Sequence, residues 1–166
     1  RVRVFNPGDE NFGLGEDLLQ IGDERDGAAD ADVDGLGLPR LAEGLPREFI
    51  ISLHLARDGS LWVGEYRERR IHQVDPQSGR ILRSLDSNRF VTGVTWVDGE
   101  LWHGTWEEDQ SDLRRIDPHS GAVLERLEMP AGTGVSGLES DGGDRFFCGG
   151  GASGKLRAVR RPARAK

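Results

Sequence analysis

The chain has 166 residues, of which 36% are hydrophobic and 24 are glycine, a composition typical of one globular domain. Its 29 acidic and 22 basic residues give a net charge of −7, so we expect no nucleic-acid partner. No apolar run approaches the roughly 18 residues of a membrane span, and the N-terminus lacks the apolar core of a signal peptide. These features, with the single cysteine Cys148, predict a soluble protein with no membrane partner and weakly favour a cytoplasmic location.

Residues 1–48 divide into a short strand-like run and a long acidic stretch. The run RVRVFNPG at residues 1–8 begins with two basic-apolar pairs, is strand-like and reaches Asn-Pro at residues 6–7. Residues 9–47 are rich in Gly, Asp and Glu and show no clear alternation, which is typical of a long loop or a partly disordered segment.

The acidic stretch contains the start of a calcium-loop pattern. Asp30, Asp32 and Asp34 stand at alternate positions, where carboxylate oxygens could converge on one cation. The twelfth position of such a loop should be a bidentate Glu and is Leu41 here. A calcium site at the three aspartates and an acidic surface loop therefore both stay open, and we expect no other cofactor.

The strongest signal is an internal repeat. Residues 58–64 (DGSLWVG) and 98–104 (DGELWHG) are identical at five of seven positions and lie 40 residues apart. The match continues from RIHQVDPQSG at residues 70–79 to DLRRIDPHSG at 112–121. A weaker third copy covers residues 137–149 and closes with residues 155–159.

Each full copy predicts four short antiparallel strands. In the second copy they are residues 91–97, 101–106, 112–116 and 123–127, separated by an Asp-Gly hairpin turn and an Asp-Pro-x-Ser-Gly turn. A four-stranded repeat of about 40 to 45 residues is typical of a β-propeller blade. We predict an all-β propeller of about three recognisable blades over residues 49–161, followed by a basic tail at 162–166.

The third blade lacks a fourth strand in the sequence around it. Complete blades are predicted at residues 49–86 and 90–129. The N-terminal run resembles the third strand of a blade cut at its start, because Asn-Pro stands where the repeats have Asp-Pro. It could instead supply the missing outer strand of the last blade. We favour the first interpretation, which makes the propeller partial and leaves blade edges for edge-to-edge self-association.

The runs LWVGEY at 61–66 and LWHGTW at 101–106, with the Asp-Pro turns, resemble blades of plant and bacterial glutamine cyclotransferases and of streptogramin lyase-like propellers. The resemblance covers about two thirds of the chain and is specific for architecture rather than chemistry. The cyclotransferase family implies conversion of an N-terminal glutaminyl residue to pyroglutamate, with tryptophans around the substrate and a Glu, an Asn and a Lys. The lyase family implies lactone opening with magnesium and a His and Glu pair.

This chain matches the cyclotransferase pattern only in part. Trp106 matches a family tryptophan, and Glu65 lies two residues beyond the expected Glu, on the same strand face. Gly104 and Gly150 stand where the family has its Asn and Lys. The resemblance therefore implies a propeller that binds a ligand or a protein rather than a catalyst, with the cyclotransferase and, less favoured, the lyase as alternatives.

The candidate site residues follow from these positions. The catalytic candidates are Glu65, His103 and Trp106, and the ligand-binding candidates are Trp96, Trp106 and Glu139, for a peptide or a small molecule. Trp96 and Trp106 are candidates because the repeat does not duplicate them.

Other side chains are expected to be structural. Trp62, Trp102 and Phe147 recur at one repeat position, as packing between blades requires. His72 has Arg114 as its counterpart, so we expect it on the surface.

Overall fold

The computed structural model describes residues 2–4, 50–56, 59–150 and 154–163, and its twelve elements there are all β-strands. Blade 1 consists of β2 (Ile50–Leu55), β3 (Leu61–Glu65), β4 (Arg70–Val74) and β5 (Ile81–Asp86). Blade 2 consists of β6 (Phe90–Val97), β7 (Glu100–Glu107), β8 (Gln110–Ile116) and β9 (Val123–Glu128). Blade 3 consists of β10 (Gly137–Ser140), β11 (Arg145–Gly149), β12 (Leu156–Arg160) and β1 (Val2–Val4). The four strands predicted for the second copy are confirmed.

The N-terminal strand completes blade 3. β1 runs antiparallel to β12, with Val2 opposite Val159 and Val4 opposite Arg157. It is therefore the outer strand of the last blade and not the third strand of a truncated one, which corrects the favoured expectation. The pairing supplies partners for the outer edge of β12, whose backbone N–H and C=O groups would otherwise lack them. The proposed calcium ligands Asp30, Asp32 and Asp34, and the tail from residue 164, lie outside the described residues.

The turns form as their sequences predict. Asp98 and Gly99 both have positive φ, 51° and 77°, in the two-residue hairpin between β6 and β7. In the turn from β8 to β9, Asp117 Oδ1 accepts hydrogen bonds from the backbone N–H of His119 and of Ser120. These bonds, led by the one from Ser120, hold the pKa of Asp117 below its usual range.

Two apolar layers join the blades. Between blades 1 and 2, Trp62 stacks on Trp96 at 5.7 Å between ring centroids. Between blades 2 and 3, the ring of Trp102 lies 4.9 Å from that of Phe146. Trp62 and Trp102 are core residues, as predicted, but Phe147 is only half-buried. That prediction was wrong because Phe147 lies on the face of blade 3 that points away from blade 2, whereas Phe146, on the opposite face, packs against Trp102.

Candidate functional site

The first strands of the three blades bring three polar side chains together. β2 and β10 both contact β6. The Thr95 hydroxyl on β6 donates a hydrogen bond to Glu139 Oε1 on β10 at 2.7 Å. His54 Nδ1 on β2 lies 3.5 Å from both the Thr95 hydroxyl and the same Glu139 oxygen. We call His54, Thr95 and Glu139 the axial cluster, since one comes from the first strand of each blade.

The three residues occupy equivalent positions in their blades. His54 is paired with Trp62, Thr95 with Trp102, and Glu139 with Phe147 across the first hairpin of each blade. Side chains of directly paired residues lie on the same face of a sheet. The repeat therefore brings one polar side chain per blade to one place.

The cluster combines a buried hydroxyl with a carboxylate that solvent can reach. Thr95 is fully buried, whereas the Glu139 side chain is 58% exposed. Partial burial raises the pKa of Glu139, but hydrogen bonds from His54, the Ser140 backbone N–H and Thr95 outweigh it, so this pKa lies below its usual value. Glu139 is therefore a carboxylate at neutral pH and can attract a cationic group.

Of this cluster, the sequence predicted Glu139 and missed His54 and Thr95. The repeat spacing of 40 aligns Val94, and not Thr95, with His54. Five residues separate the paired Leu55 and Leu61 in blade 1, but only four separate the paired Trp96 and Leu101 in blade 2. Equivalent residues of the first strands are therefore 41 residues apart, and not 40 as in the second strands. Allowing one extra residue in the first hairpin would have revealed the equivalence.

The two predicted binding tryptophans lie on opposite faces of blade 2. Trp96 points towards blade 1, where it stacks on Trp62. Trp106 stacks on Phe90 at 6.2 Å, and Phe90 stacks in turn on Tyr66 at 4.6 Å. The Arg69 guanidinium lies 4.3 Å from the Phe90 centroid. Trp106 is thus part of a half-buried aromatic row, and not of the axial cluster.

Glu65 belongs to a hydrogen-bonded chain across blade 1. Its Oε2 lies 2.9 Å from His72 Nε2, and His72 Nδ1 lies 2.8 Å from the Ser84 hydroxyl. Glu65 and His72 are both buried, so the expectation of a surface His72 was wrong. Its counterpart Arg114 is buried too, because the middle strands of a blade are covered on their faces.

His103 is buried between blades 1 and 2. Burial, reinforced by the charge of Arg114, lowers its pKa to about 4, so the ring is neutral at pH 7. His103 and Ile71 line the same cavity between blades 1 and 2. Glu65 lies on the other face of blade 1, because it is paired with Arg70, the neighbour of Ile71. Trp106 points to the other face of β7 from His103, being three residues along the strand. The three catalytic candidates therefore do not converge.

The glycines that depart from the cyclotransferase pattern stand where there is no room for a side chain. A Cβ at Gly104 would lie 2.9 Å from Thr92 Oγ1 and 2.9 Å from Val135 Cγ1. A Cβ at Gly150 would lie 2.2 Å from Ser136 Oγ, and Gly150 has a φ of +129°. An Asn or a Lys would not fit at these two positions with the backbone as it stands.

Two further features concern metals and membranes. Within the described ranges, no three His, Cys, Asp or Glu side chains are grouped as metal ligands would be. None of the residues described forms a helix that could cross a bilayer.

Solved structures resemble this fold, although no protein-family model and no curated protein matches the sequence. Virginiamycin B lyase from Staphylococcus aureus superposes with a TM-score of 0.52 and 17% identity, over 70% of this chain and 42% of that one. The β-propeller domain of Myceliophthora thermophila Cps50 (Swd1) gives a TM-score of 0.52 and 15% identity, over 68% of this chain and 40% of that one. The WD40 repeats of RRP9 give a TM-score of 0.51 and 19% identity, over 66% of this chain and 33% of that one.

The chain has a β-propeller fold. The propeller prediction is confirmed by the three blades and by these neighbours. At such low identity the likeness shows the fold alone, and the assignment to the glutamine cyclotransferases stays a prediction. The chain spans less than half the length of each neighbour.

Proposed function

We propose that this chain is a ligand-binding propeller domain in which the axial cluster binds the amino group of a peptide or small molecule. The observation that carries the proposal is the meeting of His54, Thr95 and Glu139, one from each blade, at a half-exposed carboxylate. Ligand sites commonly combine a few fixed polar groups with a rigid scaffold, and the three blades supply that scaffold.

The chemistry of the cluster favours a cationic amine. Among the residues that the structure describes, the contacts of the Glu139 carboxylate all involve Oε1, which leaves Oε2 for a ligand. An ammonium group donates three hydrogen bonds and carries the charge that a carboxylate attracts. A peptide with a free N-terminus presents such a group on a flexible chain.

The test is calorimetric titration with the peptide Gln-Leu-Gly, with its amine either free or acetylated. We expect the free peptide to bind more tightly, and Glu139→Gln to weaken its binding about tenfold, or about 1.4 kcal/mol. Glu68→Gln, at an exposed carboxylate in the turn after β3, should bind as the unaltered chain does. Equal binding of the acetylated peptide, or undiminished binding by Glu139→Gln, would contradict the proposal.

We favour binding over catalysis because the three catalytic candidates, Glu65, His103 and Trp106, lie at different places in the fold and do not form one site. The same peptide is a cyclotransferase substrate, so release of ammonia can be followed in the titrated samples. We expect no release beyond that in buffer. Release that is lost in Trp106→Ala would support the cyclotransferase instead, and magnesium-dependent opening of a streptogramin lactone would support the lyase.

A further inference from the structure

A cavity of about 220 Å³ lies between blades 1 and 2. Ile71 of blade 1 and Ile116 and Val123 of blade 2 give it apolar walls, and the connection from β5 to β6 closes it with Asn88. It is smaller than the roughly 300 to 1,000 Å³ of pockets for drug-sized molecules. Its occupant would be a small molecule with a hydrocarbon part.

Two buried polar side chains of blade 2 face this cavity. His103 is 1% exposed, and its Nδ1 has no hydrogen-bond partner among the described residues. A buried nitrogen without a partner costs free energy that a ligand oxygen could recover. Arg114 is 6% exposed, and its hydrogen bonds to Asp112 and Asn88 in the described part of the chain use three of its five N–H donors.

The charges around the cavity favour an anion. Asp112 is fully buried and receives contacts from Arg89 at 3.1 Å, Arg114 at 2.8 Å and Arg126 at 2.5 Å. Arg126 also lies 3.6 Å from Glu128. These three guanidinium groups against two carboxylates leave one positive charge in excess.

One further carboxylate belongs to a residue of the cavity lining. The side chain of Asp86 is 86% exposed and lies 3.1 Å from Arg70 Nε, so this pair adds no net charge. The positive excess therefore remains.

We propose that this cavity binds a short aliphatic carboxylate, with its oxygens on Arg114 and on His103 Nδ1 and its hydrocarbon chain against Ile71, Ile116 and Val123. Arg N–H groups suit the planar geometry of a carboxylate. The neutral imidazole donates to the second oxygen in the tautomer with the proton on Nδ1. The apolar walls distinguish this occupant from inorganic phosphate.

The test follows the imidazole signals of His103 by NMR during titration with butyrate, butyramide and inorganic phosphate. We expect saturable shifts with butyrate at millimolar concentrations, because so small a ligand makes few contacts. Butyramide, which has the same shape without the charge, and phosphate, which has the charge without the chain, should each bind at least about tenfold more weakly.

Two exposed neighbours on β9 give a matched pair of variants. Val123 is 51% exposed and lines the cavity, whereas Leu124 is 54% exposed and points to the other face of the strand. Val123→Phe should abolish the butyrate shifts, and Leu124→Phe and Glu139→Gln should leave them unchanged. Undiminished butyrate binding by Val123→Phe, or equally tight binding of butyramide or phosphate, would overturn the proposal.

Discussion

His103 is a buried neutral base, so its protonation opposes folding. Its pKa is about 4 in the folded chain, lowered by burial and by the charge of Arg114 against a smaller opposing effect of Asp112, and 6.5 in a model peptide. Between these values the unfolded chain binds more protons at this histidine, so the contribution of His103 to stability falls as the pH drops from 6.5 to 4 and is constant above that range. The loss across the whole window is on the order of 3 kcal/mol.

Urea unfolding at several pH values checks this effect. His103→Gln should flatten the pH dependence between pH 6.5 and 4, whatever its own stability at pH 7. His119→Gln removes an exposed histidine of a turn and should keep the slope of the unaltered chain. If the free energy of unfolding of His103→Gln fell between pH 6.5 and 4 as steeply as that of His119→Gln, the lowered pKa of His103 would be wrong.

At the scale of the strands, Gly93 sets the distance between blades 2 and 3. A Cβ at Gly93 would lie 2.5 Å from the backbone nitrogen of Leu138 and 2.9 Å from its Cβ. Backbone atoms cannot rotate away as a side-chain end can, so β10 would have to move off β6. We expect Gly93→Ala to lower the free energy of unfolding by about 1 to 3 kcal/mol.

The neighbouring strand supplies the control for this substitution. A Cβ at Gly137 on β10 would meet nothing within 4 Å, so Gly137→Ala should change the free energy of unfolding little. Denaturant titration followed by tryptophan fluorescence compares the two variants. Equal stabilities would show that β6 and β10 do not pack as closely as the structure has them.

The sequence predicted the strands better than it predicted the candidate site. Asp-Gly and Asp-Pro-x-Ser-Gly turns are local signals, because Asp117 bonds to the two residues that follow Pro118 in its own turn. Burial of His72 and Arg114 depends on what packs against the blade, and no local pattern encodes that. The axial cluster was hidden for a related reason, since one extra hairpin residue shifts His54 out of the repeat spacing.

At the scale of the whole molecule, the pairing of β1 with β12 joins residues near the two ends of the described chain. A contact between Val2 and Val159 has no local sequence signal, so the sequence left two interpretations open. Edge-to-edge self-association remains a prediction. Exposed side chains on the outer strands β5 and β9, Leu82 and Leu124, would take part in it.

Removal of residues 1–4 tests what β1 contributes. Without β1, the outer N–H and C=O groups of β12 lose their partners, and an unpaired edge exchanges its amides faster and pairs with other chains. We expect faster hydrogen exchange in Leu156–Arg160 and a larger mass by light scattering than for the intact chain. The amides of β8 lie between β7 and β9 and should keep their protection. Unchanged exchange in β12 would mean that β1 does not hold the outer edge of blade 3, and the N-terminal run would then return to the role of a third strand.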